Sequence, residues 1–280
     1  MYYGAKCNPP YYFVHFVKKY LQMKIFQVDA FTNQIFSGNP AAVVPLETWL
    51  DVNVMQQIAS ENNLSETAFL VQNRDGSYRL RWFTPTTEVD LCGHATLATA
   101  HVLFEHEGYS ENKIRFESNS GPLTVEKRND LYWMNFPSQP PDKIPVPKLI
   151  PDALGTIPIY TGMNVDLLVL VNDEETVAKM KPDLIILERM EARGVIVTAP
   201  GNDVDFVSRF FAPNVGVPED PVTGSAHTVL TPFWSKRLSK KHLKARQLSK
   251  RGGHIHCTQL DNRVEIGGSA ITYMTGSIQV

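Results

Sequence analysis

The chain has 280 residues, of which 43% are hydrophobic and 20% charged, and its formal net charge is -2. This length suits one large domain or two of moderate size, and the composition is typical of an ordinary soluble globular protein. With no basic excess and no Lys/Arg block, the chain is not expected to bind nucleic acid or an anionic membrane. Three widely spaced cysteines without a CxxC motif favour a reducing compartment, the cytoplasm, over a disulfide scaffold.

Residues 1–22 differ from the rest of the chain. They are rich in aromatic residues, and their apolar run at 11–17 is too short to span a bilayer. They also lack the basic start and the small-residue cleavage site of a signal peptide. We therefore expect an N-terminal extension outside the core of the fold, with packing as an extra edge strand as the alternative.

From Met23 onward, β-branched or aromatic segments bounded by turn residues predict short strands. In the first half these are "KIFQVDAF", "ETAFLVQ", "SYRLRWFT", "KIRFES" and "LYWMNFP", with a helical segment at 50–60. The second half has strand-like "IPIYTG", "DLLVLV", "GVIVTA", "DFVSRFFAP", "HIHCTQL", "RVEIGGSA" and "GSIQV", with a helix in "DEETVAKMK".

Six prolines occur among the sixteen residues 136–151, and proline removes the backbone donors that a helix or a central strand needs. We therefore predict a Pro-rich linker at 141–151, between an N-terminal lobe (23–140) and a C-terminal lobe (152–280).

Each predicted lobe contains one weakly charged helix. "LCGHATLATAHVLF" (91–104) has apolar residues at the spacing of a helix face and carries Ala and Thr on its other faces, which predicts burial on all sides. The second helix begins at Gly224 in "GSAHT" and contains Pro232, which removes the bond to Thr228 and should kink the helix.

An internal repeat links the two lobes. "RWFTP" (81–85) matches "RFFAP" (209–213), and each string is followed, at a similar distance, by a glycine that begins a charge-poor helix. If the lobes face each other, the two helix N-termini point into one cleft, where free N–H groups and the helix dipoles favour an anion such as a substrate carboxylate. His94, at the first of these N-termini, is then suited to proton exchange near neutral pH, although it is equally consistent with simple packing at a helix start.

Four segments together identify a family: "DAFTNQIFSGNPAAVV", "NNLSETAFL", "RWFTPTTEVDLCGHATLATAHVLF" and "RFFAPNVGVPEDPVTGSAHTVL". The chain from Met23 to the C-terminus closely resembles the PhzF-like phenazine biosynthesis proteins, which share the diaminopimelate epimerase fold. The resemblance implies an α+β protein of two pseudo-symmetric domains, each a mixed β-barrel-like sheet wrapped around a central helix. It also implies a cofactor-independent isomerase, commonly a homodimer, with the active site between the domains.

Carried over position by position, the resemblance assigns the family's acid/base glutamate to Glu66, its active-site histidine to His94 and its aspartate to Asp220. It assigns the binding of substrate oxygens to three residues at the helix N-termini: Gly93, Gly224 and Ser225. We expect a small carboxylate-bearing substrate, and neither a metal nor a cofactor.

The cysteines separate two mechanisms of this fold. In the repeat frame Cys92 stands opposite Thr223, so the facing cysteine pair of a two-thiol racemase is missing from the sequence, and Cys92 is interpreted as structural. His254 and His256 share one face of a predicted strand but have no third ligand nearby in sequence, so exposed imidazoles are expected rather than a metal site. An amino-acid racemase using Glu66 with another base, and a non-catalytic metabolite-binding or interaction protein, stay open as alternatives.

Overall fold

A computed structural model describes residues 21–280. In the first half, strands β1 to β9 span Gln22–Ala30, Asn39–Leu46, Glu66–Gln72, Tyr78–Phe83, Glu88–Val89, Lys113–Ser118, Gly121–Arg128, Leu131–Pro137 and Asp142–Lys143. Helix α1 (Val52–Asn62) lies between β2 and β3, and α2 (Gly93–Glu105) lies between β5 and β6. The predicted extension, residues 1–22, falls almost wholly outside the described residues.

In the second half, strands β10 to β18 span Tyr160–Met163, Leu167–Leu170, Val195–Pro200, Phe206–Ala212, Val217–Asp220, His242–Gln247, Gly253–Gln259, Arg263–Gly268 and Ala270–Gln279. The helices are α3 (Ile150–Leu154), α4 (Glu174–Lys179), α5 (Leu184–Leu187), a 3-10 turn (Pro213–Val215) and α6 (Gly224–Leu238). No helix within residues 21–280 is both long enough and apolar enough to cross a membrane.

The two halves have the same strand pairing, which confirms the predicted duplicated α+β fold. In the first half β2 is parallel to β3, β3 is antiparallel to β4, β4 is parallel to β6, and β6, β7 and β8 follow antiparallel. In the second half β11, β12, β13, β15, β16 and β17 repeat this pattern in the same order. The central helices α2 and α6 occupy equivalent places, between the fifth and sixth strands of each repeat.

The last strand of each repeat pairs with the other repeat. The long strand β18, which follows β17, pairs with β1 from Gln22↔Gln279 to Ala30↔Ala270, and the short β9, which follows β8, pairs with β10. Strands β8 and β17 are themselves antiparallel neighbours, so one mixed sheet runs through both halves. The predicted boundaries at 23–140, 141–151 and 152–280 stay a prediction, and residues 270–279 lie beside the first strand of the chain.

Helix α2 is buried on all sides, and internal hydrogen bonds of its polar side chains make this possible. Its residues from His94 to Leu103 are all buried. The hydroxyls of Thr96 and Thr99 donate to carbonyls one turn back in the same helix, at 2.6 and 2.7 Å, which satisfies them without solvent. The buried ring of His101 contacts the hydroxyls of Tyr132 and Thr272. Every polar group just named therefore has an internal partner, and the helix can be enclosed by its sheet.

Pro232 connects α6 to the Pro-rich segment. The helix continues through it to Leu238, and the carbonyl of Thr228, which has lost its helical donor, accepts the N–H of Gln139 at 3.0 Å. The Thr228 hydroxyl also donates to the side-chain oxygen of Gln139 at 2.8 Å. Pro232 thus frees the carbonyl of Thr228, and this carbonyl holds Gln139, at the start of the segment that joins the two halves.

The matched strings "RWFTP" and "RFFAP" have matched structures. Arg81 in β4 forms a two-point ion pair with Glu88 in β5, and Arg209 in β13 forms one with Glu219 in β14. Each guanidinium also lies over the ring of the phenylalanine two residues later. The repeat in sequence therefore marks the same strand-to-strand turn in each half, ahead of each central helix.

Candidate active site

The N-termini of α2 and α6 meet between the two halves. A Cβ atom placed on Gly93 would lie 3.5 Å from the Cα of Gly224, and a Cβ placed on Gly224 would lie equally close to Gly93. A Cβ at either position would be in ordinary van der Waals contact with the facing backbone, so the two helix N-termini lie next to each other. The shared cleft that the sequence analysis requires is present.

The first turns of these two helices lack the side-chain caps that other helices of the protein have. Asp51, Asp173 and Asp183 accept hydrogen bonds from the first N–H groups of α1, α4 and α5. At α2 and α6 the N-cap residues are Cys92 and Thr223, and neither side chain caps its helix. Backbone N–H groups and the positive ends of two helix dipoles are thus available to a ligand.

A cavity of about 990 Å³ opens at this junction. Its apolar lining includes Leu91, Phe136, Val165, Phe210 and Val215. Its charged or titratable lining residues are Glu66, Cys92, His94, Arg193 and Asp220. All six residues assigned from the sequence therefore line one cavity: Glu66, His94, Asp220, Gly93, Gly224 and Ser225.

Glu66 and His94 form the closest pair of titratable groups in the cavity. Glu66 is the first residue of β3, and His94 is the second residue of α2. Glu66 Oε2 lies 3.0 Å from His94 Nε2, but the pair lacks hydrogen-bond alignment and both atoms are buried without another partner in residues 21–280. Because buried polar atoms are normally hydrogen-bonded, this pair has unused capacity to bind and to exchange a proton.

The surroundings of His94 favour its charged form. Burial opposes a charge on the ring, but Cys92 and Glu66 outweigh that cost and hold the pKa of His94 well above its ordinary value. Burial also raises the pKa of the Cys92 thiol to about 11. The Cys92 sulfur lies 3.5 Å from His94 Nδ1, so Cys92, interpreted from sequence as structural, contacts the site directly.

Asp220, at the end of β14, is held in place by residues of both halves. Its carboxylate accepts from the hydroxyl of Thr223 at 2.6 Å and from the amide of Asn39 at 2.7 Å, and Gln247 donates to its backbone carbonyl at 2.8 Å. Burial raises the pKa of Asp220 to about 6, although the charge of His94 and these side-chain hydrogen bonds oppose the shift. The carboxylate is thus rigid and titrates near neutral pH.

Asn39 is a site residue that the sequence analysis missed. In "GNP" only a tight turn shaping the cleft wall was expected, and Gly38 does adopt φ +67 with no room for a Cβ beside the carbonyl of Ala30. The fully buried amide of Asn39 contacts Asp220, the carbonyl of Val222 and, at 3.1 Å, His94 Nδ1. The available signal was a polar residue at the start of a strand that is otherwise apolar.

Arg193 was also missed, because it stands in a loop that has no recognised motif. Its guanidinium donates twice to the buried carboxylate of Asp166, at 2.9 and 2.6 Å, and once to the hydroxyl of Ser225 at 3.0 Å. It therefore connects a surface loop to the N-terminus of α6, inside the cavity.

The arrangement of Glu66, Cys92 and His94 also has the chemistry of a metal-ligand set, with ligand atoms within 4.8 Å of one another. However, Cys92 adjoins Nδ1 of the imidazole and Glu66 adjoins Nε2, on opposite sides of the ring. A single ion cannot use both nitrogens of one ring, so these positions do not fit one metal. His254 and His256 point away from the buried face of β16, as expected.

Comparison with known proteins gives consistent results. Residues 28–276 match the family described as phenazine biosynthesis-like protein, PhzC-PhzF. An uncharacterized isomerase of Pseudomonas aeruginosa is 50% identical over 260 residues, covering 93% of this chain and 100% of that protein. A PhzF-family crystal structure from Enterococcus faecalis is 49% identical with a TM-score of 0.91, covering 93% and 100%.

A more distant structure shows the fold alone. A hydroxyproline epimerase from Agrobacterium vitis, solved with bound trans-4-hydroxy-L-proline, has a TM-score of 0.60 at 12% identity, covering 92% of this chain and 93% of its own.

Proposed function

We propose a reaction for this isomerase, which belongs to the phenazine biosynthesis-like PhzC-PhzF family. The enzyme moves a proton within a small carboxylate-bearing metabolite. It does so by general acid/base catalysis and without a cofactor. The observation that carries the proposal is the pair Glu66 Oε2 and His94 Nε2, 3.0 Å apart and without hydrogen-bond partners in the described chain, where two uncapped helix N-termini meet.

Glu66 is the proton carrier in this proposal. Its carboxylate takes a proton from one substrate carbon, and the electron pair of the broken C–H bond moves into the conjugated system of the substrate. The resulting carboxylic acid then returns the proton to a second carbon, which restores the carboxylate. A transfer between two carbons needs one group that works as base and then as acid within a turnover.

His94 and Asp220 support this transfer. The imidazolium of His94 stabilises the carboxylate of Glu66 and the negative charge that develops on the substrate. Asn39 lies between Asp220 and His94: its amide donates to the carboxylate at 2.7 Å and lies 3.1 Å from Nδ1 of the ring, to which it can donate once His94 has lost a proton. The carboxylate of the substrate binds the free N–H groups near Gly93, Gly224 and Ser225, where two helix dipoles add.

A racemase that uses Glu66 with a second base is the main alternative. Such an enzyme needs a second group that can accept a proton on the opposite face of the substrate. Cys92 has a pKa of about 11 and is therefore a poor base at neutral pH, and the carboxylate of Asp220 is already engaged by Thr223 and Asn39. These facts favour one carboxyl group that both accepts and returns the proton.

The test is isotope exchange in heavy water. The protein is incubated with a small-molecule metabolite extract in D₂O, and carboxylic acids that gain deuterium are identified by mass. Deuterium on a new carbon supports the isomerase, and deuterium only on the original carbon, with inversion, supports a racemase.

Glu66→Gln provides the internal test, because it keeps the size of the side chain but cannot accept a proton. Loss of general acid/base catalysis typically lowers the rate about 10²–10⁴-fold. Glu61→Gln, on the exposed side of α1, is the matched control and should exchange normally. Near-normal exchange by Glu66→Gln would overturn the role of Glu66. The non-catalytic alternative is favoured if the wild type neither labels an acid with deuterium nor converts one into an isomer of equal mass, because a proton that Glu66 returns before it exchanges leaves no deuterium behind.

We also propose that the enzyme works in the cytoplasm as a homodimer. The family resemblance supports the dimer, and the two cysteines of the described chain, Cys92 and Cys257, are buried free thiols, as suits a reducing compartment. Light scattering after size exclusion, at a mass of one or two chains, tests the dimer.

A further inference from the structure

We propose that Arg193 binds the carboxylate of the substrate and so fixes which end of the molecule faces Glu66. The inference rests on the proposed function only in placing the substrate in this cavity. It adds a charged anchor at the N-terminus of α6, and it makes the site selective for anions that carry an apolar body.

Arg193 is the only lysine or arginine among the residues that line the cavity in the described chain. The same lining holds the carboxylates of Glu66 and Asp220, which repel an anion. Without a cation, an anionic substrate would meet this negative charge with only helix dipoles and His94 to offset it. Arg193, although paired with Asp166, places the N–H donors of a cation beside Ser225 at the N-terminus of α6.

The guanidinium of Arg193 has hydrogen-bond donors that no group of the described chain accepts. Of its five N–H groups, one on Nε and one on Nη2 bind Asp166, and the second on Nη2 binds the Ser225 hydroxyl. Within residues 21–280 the two N–H groups of Nη1 have no acceptor, and the side chain is 41% exposed. The two N–H groups of one nitrogen diverge, so Nη1 can donate a charge-assisted hydrogen bond to one oxygen of a carboxylate.

Asp166 and Phe210 hold this cation in position. The side chain of Asp166 is 1% exposed, and its carboxylate accepts two hydrogen bonds from the guanidinium. The central carbon of the guanidinium lies 5.8 Å from the centre of the Phe210 ring. Because these contacts already restrict the arginine, little conformational entropy is lost when a ligand binds.

The internal repeat places Arg193 next to the counterpart of Glu66. Thr67 pairs with Phe83 in the first half and Val195 pairs with Phe211 in the second, so Gly194 is the equivalent of Glu66. Arg193 precedes that position and contacts Ser225, just as Glu66 contacts His94. The two halves thus present an acid/base group and a cation at matching places beside two helix N-termini.

The test uses benzoate and benzamide, which have the same apolar ring and nearly the same shape but differ in charge. Isothermal titration gives the dissociation constant of each with the wild-type protein. Because charge-assisted hydrogen bonds are about twice as strong as neutral ones, we expect benzoate to bind at least about tenfold more tightly. Equal binding of the two probes, or binding of neither, overturns the inference.

Three variants assign the preference to Arg193. Removing it alone would leave Asp166 as a buried unpaired charge, so the main variant is Arg193→Met with Asp166→Asn. We expect its preference for benzoate to fall below about threefold, with benzamide binding unchanged. Arg189→Met, an exposed neighbour, should keep the wild-type ratio. If the double variant is folded, as judged by its thermal melt, and keeps the wild-type ratio, Arg193 is not the anchor.

Arg193→Lys keeps the inference testable if the double variant does not fold. Lysine retains the charge, but it cannot pair with Asp166 at two points and also present a free N–H in a fixed direction, so the benzoate preference should fall at least about threefold from the wild-type ratio. An unchanged ratio contradicts the proposal. A lost preference together with a raised KM for deuterium exchange in the variants is the result expected of a binding anchor. A normal preference with no exchange by the wild type faults only the proposed reaction.

Discussion

The N-termini of α2 and α6 are equivalent by fold but differ in chemistry. Both helices begin with a glycine, both lack a side-chain cap at the preceding residue, and both N-termini line the same cavity. At α2 the adjacent side chains are His94 and Glu66, which can exchange a proton, whereas at α6 they are Ser225 and Arg193, which can bind an anion. In the function proposed above, the duplication provides two helix N-termini that can bind an anion, and the different side chains beside them separate proton transfer at α2 from substrate binding at α6.

The largest effect should separate these two ends. His94→Ala removes the cation beside Glu66 and should lower deuterium exchange about 10²–10⁴-fold, by analogy with other lost acid/base groups. Ser225→Ala removes only one hydroxyl and leaves the backbone N–H groups, so we expect less than a tenfold loss, roughly one neutral hydrogen bond. Exchange rates in D₂O measure both, and equal losses would contradict the division of roles.

The pH dependence of stability should reveal Asp220. Its pKa in the folded protein, about 6, exceeds its ordinary value of 3.8, so ionisation costs the folded state. The contribution of Asp220 to the free energy of unfolding is therefore full below about pH 4 and is lost as the pH rises through 6, a change of about 2–3 kcal/mol. Asp220→Asn cannot ionise. Urea unfolding between pH 4 and 7 should show a wild-type curve that falls relative to the variant, and parallel curves would contradict the assignment.

Equivalent asparagines provide a third comparison. Asn39, fully buried in β2, holds Asp220 and Val222, and Asn164, in the matching place before β11, is exposed and donates to the carbonyl of Pro140. Asn39→Ala leaves two buried acceptors without their donor and should cost about 1–3 kcal/mol. Asn164→Ala should cost about 0.5 kcal/mol or less. Unfolding midpoints in urea test the difference, which similar values for the two variants would refute.

The smallest effect concerns the repeated arginines. Arg209 donates to the carbonyls of Val177 and Met180 in addition to Glu219, whereas Arg81 pairs with Glu88. Arg209→Met should therefore destabilise the protein by about 1 kcal/mol more than Arg81→Met, the worth of a net hydrogen bond or two. Thermal denaturation of the two variants measures the difference, and a larger loss for Arg81→Met would reverse the ranking.

The sequence by itself determined the local elements, the duplication and the candidate site residues. The apolar spacing and missing charge of 91–104 required a buried helix, and the strings "RWFTP" and "RFFAP" marked equivalent turns because both encode the same ion pair over a phenylalanine. Glu66, His94 and Asp220 were accessible through long motifs that carry a family resemblance.

Only the tertiary structure decided which distant residues meet. Strand patterns specify a face but not a partner, so the exchange of β9 and β18 between the repeats could not be read from composition or spacing. Asn39 and Arg193 were missed for a related reason. The only local signal for Asn39 is its polarity at the start of an apolar strand, and Arg193, in a loop, has none. Each contacts groups far along the chain, Asp220 in one case and Asp166 with Ser225 in the other. Burial and charge at a site between two halves are properties of the assembled fold, which brings those groups within hydrogen-bond distance.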